Sequence, residues 1–125
     1  MIEKLYIKGT EDTPEIILDR ENSNFEISGR SLPENVNTFF APVFEWIIAY
    51  FNDPLKETVF SINLVYFNSA TAKKIVELLL IIESHFDKGC LIKIIWNYKR
   101  NDFTMQRKGE DLLSIFKIPN EINSF

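Results

Sequence analysis

A chain that runs a reaction with its own side chains needs reactive groups able to converge, and this one offers few. His85 is the single histidine and Cys90 the single cysteine. A Ser-His-Asp or Cys-His arrangement would need His85 to face a nucleophile. Cys90 is close in sequence, but the Gly89 turn sets it on a different element, and His85 reads as an exposed helical side chain. One His and one Cys do not make a tetrahedral zinc site, and no Asp-rich calcium loop is present. The four glycines, at 9, 29, 89 and 109, are scattered rather than gathered into a phosphate-cradling loop. Glu11 with Asp12, and Glu110 with Asp111, are sequence neighbours that read as solvated groups, not as acid/base pairs. The expectation is no catalytic residue, no metal ligand and no cofactor, hence not an enzyme.

One hydroxyl does sit where chemistry can be done to the protein. In Tyr66-Phe67-Asn68-Ser69-Ala70-Thr71-Ala72-Lys73 an apolar strand gives way to a helix. Asn68 is a good N-cap residue, which places Ser69 at the first helical position. A phosphate on Ser69 would meet free backbone N–H groups and the positive end of the helix dipole. Lys73 and Lys74 lie within reach of it. Residue chemistry alone favours the plainer reading, in which Asn68 and Ser69 do no more than cap the helix.

The elements around that junction follow from pattern. Leu5 and Ile7 alternate with polar neighbours, and Glu15 to Asp19 and Phe25 to Ser28 flank the polar turn Arg20 to Asn24, which predicts a hairpin. Ser31 and Glu34 form a capping-box pattern with Pro33 between them. Val36, Phe39, Phe40, Val43, Ile47 and Phe51 recur at helical spacing. Pro42 interrupts that pattern, so a kink or break is expected near Ala41, with the main helix from about there to Phe51. In Thr58 to Phe67, Phe60, Ile62, Leu64 and Tyr66 fall on one face. A helix from about Ser69 to Phe86, a strand from Cys90 to Tyr98 and a helix from about Phe103 to Phe116 follow, and Pro119 ends the pattern. The second helix carries more apolar residues than one inward stripe requires: Val76, Leu80 and Ile81 widen it. The predicted class is α/β, a single domain with a mixed sheet of four or five strands. It has antiparallel N-terminal strands, a β-α-β crossover and helices packed on the sheet.

The bulk numbers agree. At 125 residues the chain has a common single-domain size, and it is 46% apolar and 26% charged, with 11 Phe to fill a core. Fourteen basic against eighteen acidic residues give −4, which lacks the basic excess that nucleic acid selects. Lys99, Arg100, Arg107 and Lys108 are diluted by Asp102, Glu110 and Asp111. Cys90 reads as a small buried hydrophobe. The first twenty residues carry no apolar signal region, and the stretch Trp46 to Phe51 is too short for a bilayer. A cytoplasmic protein without membrane or nucleic-acid partners is expected.

The sequence resembles the SiaC-like family of bacterial regulatory phosphoproteins over nearly its whole length. The marks are Gly9-Thr10 with Thr13-Pro14, Gly29-Arg30-Ser31-Leu32-Pro33-Glu34-Asn35, Phe39-Phe40-Ala41-Pro42, Trp46, Tyr66-Phe67-Asn68-Ser69 and Ile95-Trp96-Asn97-Tyr98. The resemblance implies a fold like that of anti-sigma-factor antagonists (STAS-like) and a partner-switching role. It implies that a dedicated kinase phosphorylates the hydroxyl residue after Asn68, and that a metal-dependent Ser/Thr phosphatase removes the phosphate. In the best-known branch the unphosphorylated protein activates a diguanylate cyclase that promotes biofilm formation. By match Ser69 is the acceptor, where that branch carries Thr, and Thr71 is the second candidate. Arg30, Ser31, Leu32, Pro33, Glu34 and Asn35, with Asn68, Ala70 and Lys73, are the expected partner-binding residues. The competing reading is a small ligand-binding domain or enzyme with a pocket lined by Trp46, Trp96 and Tyr98.

Overall fold

A computed structural model describes residues 2–125. The elements are β1 (Leu5–Ile7), β2 (Glu15–Asp19), β3 (Asn24–Ser31), α1 (Val36–Tyr50), β4 (Glu57–Phe67), α2 (Ser69–Asp87), β5 (Leu91–Tyr98), α3 (Phe103–Leu113) and β6 (Asn120–Ser124). They form one six-stranded mixed sheet in sequential order. β1, β2 and β3 pair antiparallel, and β3 through β6 pair parallel. Each parallel step is a strand–helix–strand crossover between sheet neighbours. Crossovers of one hand that always advance in the same direction put their helices on the same face. The buried side chains agree: Ile16, Leu18, Phe25, Ile27, Phe60, Ile62, Leu64, Ile92, Ile94 and Trp96 form one sheet face against the helices. The opposite positions, among them Val59, Ser61, Asn63 and Ile95, are half-exposed.

Three expectations are corrected. The sheet has six strands, not four or five, because the chain resumes pairing after Pro119. The Pro119 carbonyl accepts from Ile94 N–H at 2.9 Å, and Asn120–Ser124 continues along β5. This edge strand, Asn-Glu-Ile-Asn-Ser, carries no apolar alternation, as suits an exposed edge. Second, α1 runs unbroken through Pro42. A mid-helix proline costs about 3 kcal/mol, but Phe40, Val43, Trp46, Ile47 and Tyr50 are all buried on this helix, and each such side chain contributes roughly 1.5–3 kcal/mol. Its N-cap is Asn35, whose side chain accepts from Thr38 N–H at 3.1 Å, and not Ser31, which is the last residue of β3. Third, Tyr66 does not share the face of Phe60, Ile62 and Leu64. Gly29 pairs with Leu64 and Arg30 with Tyr66, so the register slips by one at Val65. Each slip exchanges the faces: Tyr66 turns out to solvent and Phe67 turns into the core. Gly29 adopts φ 97°, a conformation that glycine permits at the slip.

The aromatic candidates for a pocket are structural. Trp46 stacks on Tyr50 with centroids 5.3 Å apart and donates Nε1–H to the Glu3 carbonyl. Trp96, 1% exposed, donates Nε1–H to the Met105 carbonyl at 3.1 Å and thereby docks α3. Tyr98 packs half-buried against the core.

Candidate functional site

Because β3, β4 and β5 are parallel, the helices that follow them all begin at one end of the sheet, the end where α/β proteins tend to place their sites. The register slip extends this geometry. It carries Ser31 alongside Phe67 at the end of β4, so two sequence motifs forty residues apart meet at the start of α2. The Ser31 carbonyl accepts from Asn68 N–H at 3.1 Å and from the Thr71 hydroxyl at 3.1 Å. The two hydroxyls lie 2.8 Å apart. Asn68, extended at φ −88° and ψ 175°, caps the helix by accepting from Thr71 N–H at 2.9 Å.

This arrangement separates the two candidate hydroxyls. Thr71 is 0% exposed and committed to Ser31. Ser69 is exposed at the first helical position, on a ridge between two hollows. One hollow, about 420 Å³, lies between α2 and α3 and is lined by Phe67, Ser69, Ala72, Lys108, Leu112 and Ile115. The other, about 600 Å³, reaches toward α1 and is lined by Val36, Asn37, Ser69, Ala70, Lys73 and Glu77. Lys73 is exposed, while Lys74 pairs with Glu77 at 3.1 Å.

The other expected partner-binding residues divide. Arg30, Glu34 and Asn35 are exposed, and Leu32, Asn68 and Ala70 are half-exposed. Ser31 and Pro33 are buried and hold the segment in place rather than facing a partner. Arg30 lies over the Tyr66 ring at 5.1 Å and donates Nε–H to the Glu11 carbonyl. The wall supplied by α3 escaped the sequence reading: Lys108 appears there only as part of a diluted basic cluster, and Leu112 and Ile115 as ordinary helix residues. Their one signal is apolar spacing that outruns the end of α3.

His85 is not the exposed side chain expected. It is half-buried, stacked on Phe51 with centroids 4.3 Å apart, and burial followed by the nearby Lys88 charge lowers its pKa. Cys90 is likewise half-buried, its N–H donating to the His85 carbonyl. Among the described residues no group of His, Cys, Asp and Glu is placed to hold a metal ion, and no helix is long and apolar enough to cross a membrane.

Comparison with known proteins gives a consistent result. Residues 7–125 match the model of the family described as SiaC family regulatory phosphoprotein. An uncharacterized protein of Pseudomonas aeruginosa (strain UCBPP-PA14) is 25% identical over 120 residues, covering 96% of this chain and 95% of that protein. The structure of SiaC of Pseudomonas aeruginosa superposes with a TM-score of 0.89 at 24% identity, over 99% of this chain and all of that one (100%). A crystal structure of the diguanylate cyclase SiaD in complex with its activator SiaC, also from Pseudomonas aeruginosa, contains a chain that matches with a TM-score of 0.92 at 25% identity. The match covers 97% of this chain and 99% of that one.

Proposed function

The chain belongs to the SiaC family of regulatory phosphoproteins, and from that membership we propose that it is a phosphorylation-controlled adaptor with Ser69 as its switch. The whole chain, 1–125, acts as one regulatory domain in the cytoplasm and performs no catalysis itself. A cognate kinase presents ATP to Ser69. The serine Oγ attacks the γ-phosphorus, the Oγ–P bond forms as the bond to ADP breaks, and the hydroxyl proton passes to a base on the kinase. A metal-dependent phosphatase removes the group by hydrolysis: an activated water attacks the phosphorus, the Oγ–P bond breaks, and inorganic phosphate leaves as the serine hydroxyl regains its proton. In the unmodified state the protein binds and activates an effector. The relative crystallised with a diguanylate cyclase supports a cyclase in that role.

The observation that carries the choice of residue is the contrast between Ser69, exposed on its ridge, and Thr71, buried against Ser31. A kinase needs its acceptor hydroxyl in its own active site. Ser69 meets this without any change in fold, whereas Thr71 would have to leave two hydrogen bonds and unwind the first turn of α2. Phosphate at Ser69 adds about −1.5 to −2 charges at the positive end of a 19-residue helix, which the free protein tolerates. A partner covering the ridge would have to bury that charge. The test is a phosphopeptide map of the protein purified from its native cells, with Ser69→Ala and Thr71→Ala alongside. Phosphate that disappears only in Ser69→Ala supports the reading, and phosphate that persists there refutes it.

A further inference from the structure

Lys108 reaches from α3 over the aromatic pair that precedes the N-cap of α2. Its Nζ lies 4.8 Å from the Phe67 ring centroid and 5.8 Å from that of Tyr66. No carboxylate pairs with it among the described residues, although Asp111 lines the same hollow. The other cations near Ser69 are placed differently. Arg30 is tied to the Glu11 carbonyl and shares the Tyr66 ring. Lys74 is paired with Glu77. Lys73 has no carboxylate partner among the described residues but is exposed, lining the hollow on the other side of the Ser69 ridge. Lys108 is half-buried and lines the hollow that Ser69 opens onto. An aromatic face at a partly exposed site holds an ammonium weakly. A phosphate dianion holds it more strongly, and the more so where solvent screening is reduced.

Building on Ser69 as the acceptor, we propose that Lys108 is the cation that answers the phosphate. On modification its ammonium leaves the Phe67 and Tyr66 rings and pairs with phosphoserine at position 69 across the α2–α3 hollow. The modification then alters the surface in two ways. It adds negative charge to the ridge, and it uncovers the aromatic floor while an ion pair closes the hollow's mouth. A partner fitted to the unmodified surface meets a different shape as well as a different charge. Asp111, on the same wall, opposes the phosphate and limits how completely Lys108 neutralises it.

The test uses the full chain with phosphoserine installed at position 69 during translation, so it does not depend on any kinase. The second phosphate pKa, ordinarily about 6, is followed by phosphorus NMR in otherwise wild-type protein and in Lys108→Gln, Lys108→Arg and Lys73→Gln. Lys108→Gln is expected to raise that pKa by about half a unit, Lys108→Arg to leave it low, and Lys73→Gln to shift it less. The ε-methylene protons of Lys108, shielded by the rings in the unmodified protein, should move to ordinary lysine positions on phosphorylation. Titration of Lys108→Gln within about 0.1 unit of wild type, a larger shift from Lys73→Gln, or unmoved Lys108 protons would each overturn the proposal. Native phosphate mapped to a residue other than Ser69, with the titration as expected, would instead remove the functional reading and leave the pairing intact.

Discussion

The Ser31 hydroxyl lies 2.8 Å from the Thr71 hydroxyl, and both side chains are 0% exposed. Since the Thr71 hydroxyl also donates to the Ser31 carbonyl at 3.1 Å, the consistent assignment has Ser31 donating to Thr71. This pair ties the end of β3 to the first turn of α2. Thr71 is thereby placed inside the molecule and Ser69, two residues earlier, outside it.

If that pair is structural, Thr71→Val should destabilise the protein by about 1–3 kcal/mol, because it leaves the Ser31 hydroxyl buried without its partner. Ser31→Ala combined with Thr71→Val should cost less than the sum of the two single changes, with a coupling of at least about 0.5 kcal/mol. Urea unfolding of the four proteins measures this. Strict additivity would mean that the two hydroxyls do not cooperate.

At Gly109 the backbone of α3 lies directly against Trp96 of β5. A Cβ at that position would stand 2.5 Å from Cδ1 and Nε1 of Trp96, a side chain 1% exposed and locked to Met105. Gly109→Ala gains about 1 kcal/mol of helix propensity, yet the displaced α3 should cost about 1–3 kcal/mol. A lower Tm is expected, together with a change in Trp96 fluorescence. A raised Tm would show that α3 shifts freely.

His85 supplies a pH dependence. Its folded pKa lies below the ordinary 6.5 because of burial and then Lys88, so the unfolded chain binds the proton more readily. Stability is therefore fully present above about pH 6.5 and falls as the pH drops through the histidine range. Asp19, held low first by its hydrogen bond from Asn22, and Glu121, held low first by its bond from Lys93, act in the same direction. Their contribution is lost only at more acid pH, toward the ordinary carboxylate range. His85→Gln should flatten the stability profile between about pH 7.5 and 5.5 and leave the acid limb unchanged. An unaltered profile would contradict the assignment.

Much of this architecture is legible in the residues. The Asn68 cap, the start of α2 at Ser69, the hairpin of β2 and β3 and the order of the first eight elements all follow from local pattern. What escaped depends on pairing between distant segments. The slip between Gly29 and Arg30 exists only opposite β4, so nothing in Tyr66-Phe67 itself announces which ring faces water. Ser31 followed by Glu34 satisfies a capping pattern, yet β3 claims Ser31 and Asn35 caps α1 instead. Pro42 obeys its local penalty but is outweighed by the apolar face around it. β6 has no apolar signal because an edge strand needs none. Lys108 and Leu112 become neighbours of Ser69 only once α3 packs beside α2.

The most direct test of the switch compares the affinity of the unmodified chain, of Ser69→Ala and of protein carrying phosphoserine at position 69 for the proposed effector, a diguanylate cyclase. Titration calorimetry should be paired with melting curves. A micromolar complex is held by about 8 kcal/mol, and burying a dianion that Lys108 only partly neutralises costs several of these. The account predicts binding by the first two proteins, roughly a thousandfold weaker binding by the phosphorylated one, and a Tm that scarcely moves, since the helix dipole offsets the charge in the free protein. Equal affinity across all three, with the same Tm, would contradict it.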